Sequence, residues 1–188
     1  MIFTPAPLSG SFIIDLLPVT DNRGWFARTW CKNEFAVTGF TGEWVQMNHS
    51  FTAAAGTIRG MHYQLPPHQE IKLVRCIAGA VDDVIVDIRA GSPTFLQSFA
   101  ITLSALNRKM LYIPAGFAHG FQSLDDNSEL IYHHSVFYTP GAEGGLRYDD
   151  PLLAISWPLE PVQVSDRDKQ HPLLGADFSG ISPQPPTN

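Results

Sequence analysis

The sequence predicts an all-β protein folded as a jelly-roll sandwich or barrel, and three observations predict it. Short segments of strand composition recur through the middle of the chain, each closed by Gly, Pro, Asn or Asp. Glycine and proline are plentiful, at 15 each among 188 residues, and only 16% of residues are charged against about 25% in an average soluble protein. No repeat at solenoid spacing is present, and the helical segments expected are short and peripheral.

In chain order, the first element is a short helix within CKNEFAVTG (31–39), with Asn33 as its cap and Gly39 as its stop. RGMHYQ (59–64) reads as a strand with His62 and Gln64 on one face and Arg59, Met61 and Tyr63 on the other, unless Gly60 relaxes the alternation. IKLVRCI (71–77) and VDDVIVDIR (81–89) flank Ala78-Gly79-Ala80 and read as a hairpin. SFAITLS (98–104) alternates at Phe99, Ile101 and Leu103 and runs into a polar turn at Asn107-Arg108. MLYIP (110–114), GFAHGFQSL (116–124) and ELIYHHSVFY (129–138) complete the dense set of strands. Asp166 to His171 reads as a helical turn, and ISPQPPTN (181–188) as a loose tail. The length fits a single domain spanning 1–188, with its core over about 16–174, since domains commonly run to roughly 100–200 residues.

Charge and cysteine usage narrow the function. With 12 Lys+Arg against 18 Asp+Glu the net charge is −6, which argues against nucleic acid or an anionic membrane as a partner. Cys31 and Cys76 do not form a disulfide framework, and MIFTPAPLSGSF has no basic region ahead of an apolar run, so a cytoplasmic location is expected. No apolar stretch approaches the ~20 residues that span a bilayer.

Alternation places several polar groups toward an interior. Lys72 shares a face with Val74 and Cys76, and an inward ammonium needs a partner or a purpose. Tyr132, His134, Val136 and Tyr138 share a face, so two tyrosines are expected to look into one space. The spacing Gly56-x5-His62-x-Gln64, continuing to Lys72-x6-Gly79, with Pro114-x-Gly116-x2-His119 further on, resembles the two cupin signatures. Metal-binding cupins carry a second His and a carboxylate where this chain has Gln64 and Lys72. A cation at ~4 Å from a metal ion in a partly dry cavity would be repelled by several kcal/mol, so no metal is expected.

From about Leu16 to Leu174 the chain resembles the dTDP-4-dehydrorhamnose 3,5-epimerase family. The resemblance is carried by DNRGWF (21–26), QMNHS (46–50), IRGMHYQ (58–64), KLVRCIAGAVDDVIVDIR (72–89), SPTF (92–95), YIPAGFAHGFQSL (112–124), YTPGAEGGLRYDDP (138–151) and SDRDKQHPLL (165–174), in family order and spacing. It implies a cupin jelly-roll core, a homodimer with exchanged N-terminal strands, and a cofactor-free epimerase acting on a nucleotide-linked 4-keto-6-deoxyhexose in a deoxysugar or cell-surface polysaccharide pathway. It places the catalytic base on His62, its orienting carboxylate on Asp168, the oxyanion-side lysine on Lys72 and the acid on Tyr132, with Tyr138 a competitor for the last role. The chemistry fits: a C4 ketone acidifies the hydrogens at C3 and C5 through an enolate, and an imidazole titrates where proton removal is useful. A cation beside the enolate oxygen stabilises developing charge.

The same resemblance assigns Arg23, Arg59, Gln46 and Asn48 to the nucleotide diphosphate, and Phe26 to the base, with Arg23 and Phe26 supplied by the neighbouring subunit. His119 and Tyr138 line the sugar pocket. Three departures stand out: Arg28 replaces a Glu that recognises thymine, Met47 replaces an Asp, and His133-His134 stand where the family has Lys or Leu and a small residue. Arginine only donates hydrogen bonds, so Arg28 makes CDP or GDP sugars rival substrates, unless it is simply paired near Glu34. Inversion at a single carbon and a non-catalytic sugar-nucleotide binding cupin are the rival functions on the same fold. For Lys72 the competing reading is a surface ion pair with Glu70, which the cupin register disfavours.

Overall fold

A computed structural model describes residues 1–182; the tail from 183 onward lies outside the described residues. The strands are β1 (Ile2–Pro5), β2 (Phe12–Asp15), β3 (Val19–Asp21), β4 (Gly24–Phe26), β5 (Gln46–Thr52), β6 (Thr57–Gln64), β7 (Lys72–Ala78), β8 (Ala80–Asp87), β9 (Ser98–Ser104), β10 (Met110–Ile113), β11 (Phe117–Ser123), β12 (Ser128–His134), β13 (Glu143–Gly145) and β14 (Gln163–Val164). The helices are α1 (Lys32–Phe35) and α2 (Asp166–Gln170). One sheet runs β1-β2-β10-β7-β12-β5 and the other β13-β6-β11-β8-β9, with β14 added beside β6 and β3–β4 forming a separate hairpin.

The alternation of side chains builds three apolar layers. Val74, Cys76, Leu111 and Leu130 from the first sheet meet Val81, Ile85, Leu103, Phe117 and Phe121 from the second, and this layer is the sandwich core. The opposite faces are also covered: Leu73, Met110 and Tyr112 pack on Phe35 and Phe40. Val84, Val86 and Ile88 pack on Leu146, Leu153 and Trp157. Burial on both faces explains why Val84, Ile85 and Val86 run together within VDDVIVDIR and break a clean alternation. Among the described residues no helix is long and apolar enough to cross a membrane.

Four expectations are corrected. Ala78-Gly79-Ala80 is not a hairpin: β7 pairs with β10 and β12, whereas β8 pairs with β11 and β9, so Gly79 carries the chain from one sheet to the other. Gly79 adopts φ +66°, and a Cβ there would lie 2.6 Å from the Ser128 hydroxyl. The first helix begins after Cys31 rather than at Asn33 and continues as a 3-10 turn over Ala36–Thr38, while Gly39 stops it with φ +79° as expected. Strand β12 ends at His134, so Tyr138 belongs to a loop. Ile181 is not loose, because its backbone pairs with Ile88 and Ala90 on either side of Arg89.

The β6 strand explains the position of two site residues. His119 stands opposite His62 and Phe121 opposite Arg59, so β6 uses one residue more than β11 over that interval. Gly60 absorbs the bulge with φ +134°, and a Cβ there would lie 2.5 Å from the Gly120 Cα. The slip places Arg59 on the same cavity wall as His62, against the simple alternation, while Met61 is buried on the other face.

Candidate active site

A cavity of about 550 Å³ opens where β5, β6, β7, β11 and β12 present their inward polar residues, closed on one side by α2. His62, Lys72, Tyr132, Asp168, Arg59, Asn48 and His119 all line it, seven of the twelve residues anticipated from the sequence. Gln46 and Tyr138 line a smaller adjoining hollow of about 130 Å³, which shares Asn48, His62, His134 and Arg167 with the larger one.

His62 projects from β6 with its ring 43% exposed, and its Nε2 lies 2.7 Å from the Asp168 carboxylate. Asp168 is buried and rigidly supplied. Ser165 caps α2 by accepting from the Asp168 N–H at 3.1 Å, and the Gly60 N–H lies 3.3 Å from the carboxylate. Burial pushes the Asp168 carboxyl up, but His62, the Gly60 amide and the Ser165 hydroxyl outweigh it and hold it below the ordinary value. With Nε2 given to the carboxylate, Nδ1 is the nitrogen left to take a proton.

Lys72 is nearly buried at the start of β7 and does pair with Glu70, at 3.0 Å. The pair is not the surface contact considered from sequence, because both side chains are about nine-tenths buried beside the cavity. Burial raises the Glu70 carboxyl, yet Lys72 and then His134 overcome this and bring it to about 2. Tyr132 donates to or accepts from the Ser50 hydroxyl at 2.9 Å, with its ring against His119 (centroids 6.1 Å) and stacked on His134 (6.3 Å). Burial raises the Tyr132 phenol well above its ordinary value, so it holds its proton at neutral pH. Tyr138 is half exposed, its hydroxyl engaged with Glu143, and so it does not share one space with Tyr132.

Several site residues carry no assignment from the sequence. Asp83 is fully buried and holds His119 Nε2 at 3.0 and 3.1 Å. His134 and Ser50 line the cavity, as does Arg167, which pairs with Glu143 at 3.0 Å. Strand parity puts His134 beside Tyr132, and that is the available signal; nothing local marks Asp83. Gln64, at the second-histidine position of the cupin signature, turns its amide to the 137–139 loop, accepting from the Thr139 N–H at 2.8 Å. Among the described residues the one group of potential metal ligands is His62, Asp168 and His171, within 4.8 Å of one another. There the ring nitrogen of His62 is already bonded to the carboxylate, and Arg167 stands on the same helix as Asp168.

Arg23 and Phe26 lie on the exposed β3–β4 hairpin, Phe26 with 75% of its surface free, and neither lines the cavity of its own chain. Arg28 gives its guanidinium to Glu34 at 2.6 Å, and Glu34 also takes the N-terminal ammonium at 2.7 Å.

Residues 5–176 match the family model described as dTDP-4-dehydrorhamnose 3,5-epimerase. A curated relative of that description from Shigella flexneri is 44% identical over 149 residues, covering 79% of this chain and 82% of the relative. One from Salmonella typhimurium is 37% identical over 93% of this chain and 96% of its own length. The chain superposes on a Legionella pneumophila 3,5-epimerase in complex with dTDP-4-keto-L-rhamnose, with TM-score 0.89, 36% identity and coverage of 97% and 99%. A 3′-monoepimerase from Streptomyces bikiniensis in complex with dTDP-quinovose matches with TM-score 0.82, 32% identity and coverage of 90% and 86%.

Proposed function

The chain belongs to the dTDP-4-dehydrorhamnose 3,5-epimerase family, with a cupin β-sandwich fold, and is an isomerase; on that premise we propose that it inverts C3 and C5 of a dTDP-linked 4-keto-6-deoxyhexose by the action of His62 and Tyr132. The observation that carries the assignment is the His62–Asp168 pair at 2.7 Å facing Tyr132 and Lys72 in one cavity.

His62 removes the proton alpha to the ketone, and Asp168 stabilises the imidazolium so formed. Charge passes to the C4 oxygen as an enolate, which the Lys72 ammonium stabilises. Tyr132, uncharged and held by Ser50, returns a proton from the opposite face, and inversion follows because donor and base come from strands of different sheets. Every step moves a proton, so the reaction calls for no redox cofactor.

Arg59 and Asn48 in the larger cavity and Gln46 in the adjoining hollow suit the diphosphate and ribose oxygens. Arg59 is braced by Thr52 and the Phe51 carbonyl, each at 3.1 Å. The exposed hairpin supports a homodimer in which Arg23 and Phe26 enter the partner's site. Arg28 is paired through Nη1 with Glu34, which supports the reading of Arg28 as an ion-pair residue over one in which it selects CDP or GDP. The likeness to a 3′-monoepimerase keeps a second reading, inversion at C3 alone.

The test is Tyr132→Phe in D2O with the dTDP-linked 4-keto sugar. Deuterium exchange is expected to persist while correctly inverted product falls by about 100-fold. Equal loss of both, or unchanged product, would remove Tyr132 from the acid role.

A further inference from the structure

Beneath the sugar pocket, one imidazole joins groups to which the proposed reaction gives separate tasks. His134 is 8% exposed, its Nδ1 lies 2.7 Å from Glu70 Oε2 and its Nε2 3.3 Å from the Asn48 amide nitrogen. Glu70 takes the Lys72 ammonium at 3.0 Å on its other oxygen. Asn48 Oδ1 accepts from the Gln46 amide at 3.2 Å, and Gln46 Oε1 accepts from the Tyr138 N–H at 3.0 Å. The result is a continuous hydrogen-bonded chain from Lys72 to Tyr138.

The donors and acceptors at its two ends determine the state of the ring. An ionised carboxylate only accepts, so Nδ1 carries the hydrogen; an amide NH2 only donates, so Nε2 presents its lone pair. A neutral imidazole meets both demands, whereas a small residue at this position, as in the family pattern, would reach neither partner. His134 also stacks at 27° on Tyr132 and stands in the wall shared by the two hollows.

We propose that His134 is a positioning residue of the epimerisation: as the Nδ1–H tautomer it ties Glu70, and through it the Lys72 ammonium, to the Asn48 and Gln46 amides, so that the cation at the enolate and the amides at the nucleotide are held in register. This rests on the function proposed above.

The experiment compares His134→Gln with His134→Leu. A glutamine can donate to Glu70 and accept from Asn48; leucine fills similar space and does neither. His134→Leu is expected to lower kcat about tenfold and raise KM for the dTDP sugar about threefold, and His134→Gln to restore most of both. Equal behaviour of the two variants would reduce His134 to a space-filling role and overturn the inference while the wild-type activity stands. Absence of wild-type turnover would instead strike the proposed function. The positioning chain is then read in the free protein from the side-chain amide NMR signals of Asn48 and Gln46. They should move in His134→Leu and stay in His134→Gln, and unmoved signals in the leucine variant would overturn it. If His134→Leu does not fold, Glu70→Gln takes its place: the Asn48 signal should respond across the ring, and an unmoved signal overturns the proposal.

Discussion

His62→Ala is expected to abolish deuterium exchange at both C3 and C5, a loss of about 1000-fold or more for removal of the general base. Each other histidine lining the cavity is already paired with a carboxylate. His49 is paired with Glu129, His119 has its Nε2 committed to the buried Asp83, and His134 is held between Glu70 and Asn48. Asp168→Asn should retain the fold and lose less, since the amide can still orient the ring but no longer stabilises an imidazolium. One-dimensional proton NMR of the sugar signals measures both. Residual exchange at one carbon in His62→Ala would show a second base and assign that carbon to it.

Lys72→Met is expected to lower kcat by about 100- to 1000-fold, as for removal of a group that meets developing negative charge. The single variant also strands Glu70, whose carboxylate is buried against Lys72 and His134, and should cost about 3 kcal/mol of stability. The double variant Lys72→Met with Glu70→Gln separates the two effects. It should recover most of the stability, read by chemical denaturation, and none of the activity. Recovery of activity together with stability would make Lys72 a structural partner of Glu70 and nothing more.

Much of the fold is legible because the strands from Lys72 to His134 carry their alternation or apolar runs locally. What stays hidden is pairing. IKLVRCI and VDDVIVDIR adjoin in sequence, but each is covered on both faces and flanked on both edges by other strands, and only the sandwich as a whole decides that Gly79 crosses between sheets. Strand β5 escapes notice because QMNHSFT is an edge strand with mostly polar, exposed side chains and offers no apolar alternation. The first-wall residues of the site can be read through resemblance and parity, His62 with Asp168 and Tyr132 with His134. Arg59 cannot be placed by parity, since the extra residue in β6 shows itself only against β11. Asp83 and Glu70 are invisible as site residues for a related reason: a carboxylate gains its role from an imidazole or ammonium brought to it by another strand.

Enolisation of a dTDP-linked 4-keto sugar toward both carbons flanking the ketone, C3 and C5, is the step on which every proposed role depends. It is measured by incubating the wild-type protein in D2O with dTDP-, CDP- and GDP-linked 4-keto-6-deoxyhexoses and following deuterium at each carbon by NMR. Deuterium is expected at C3 and C5 of the dTDP sugar, with the CDP and GDP sugars exchanging far more slowly. No exchange in any of the three, or exchange favouring CDP or GDP, would contradict the proposed function.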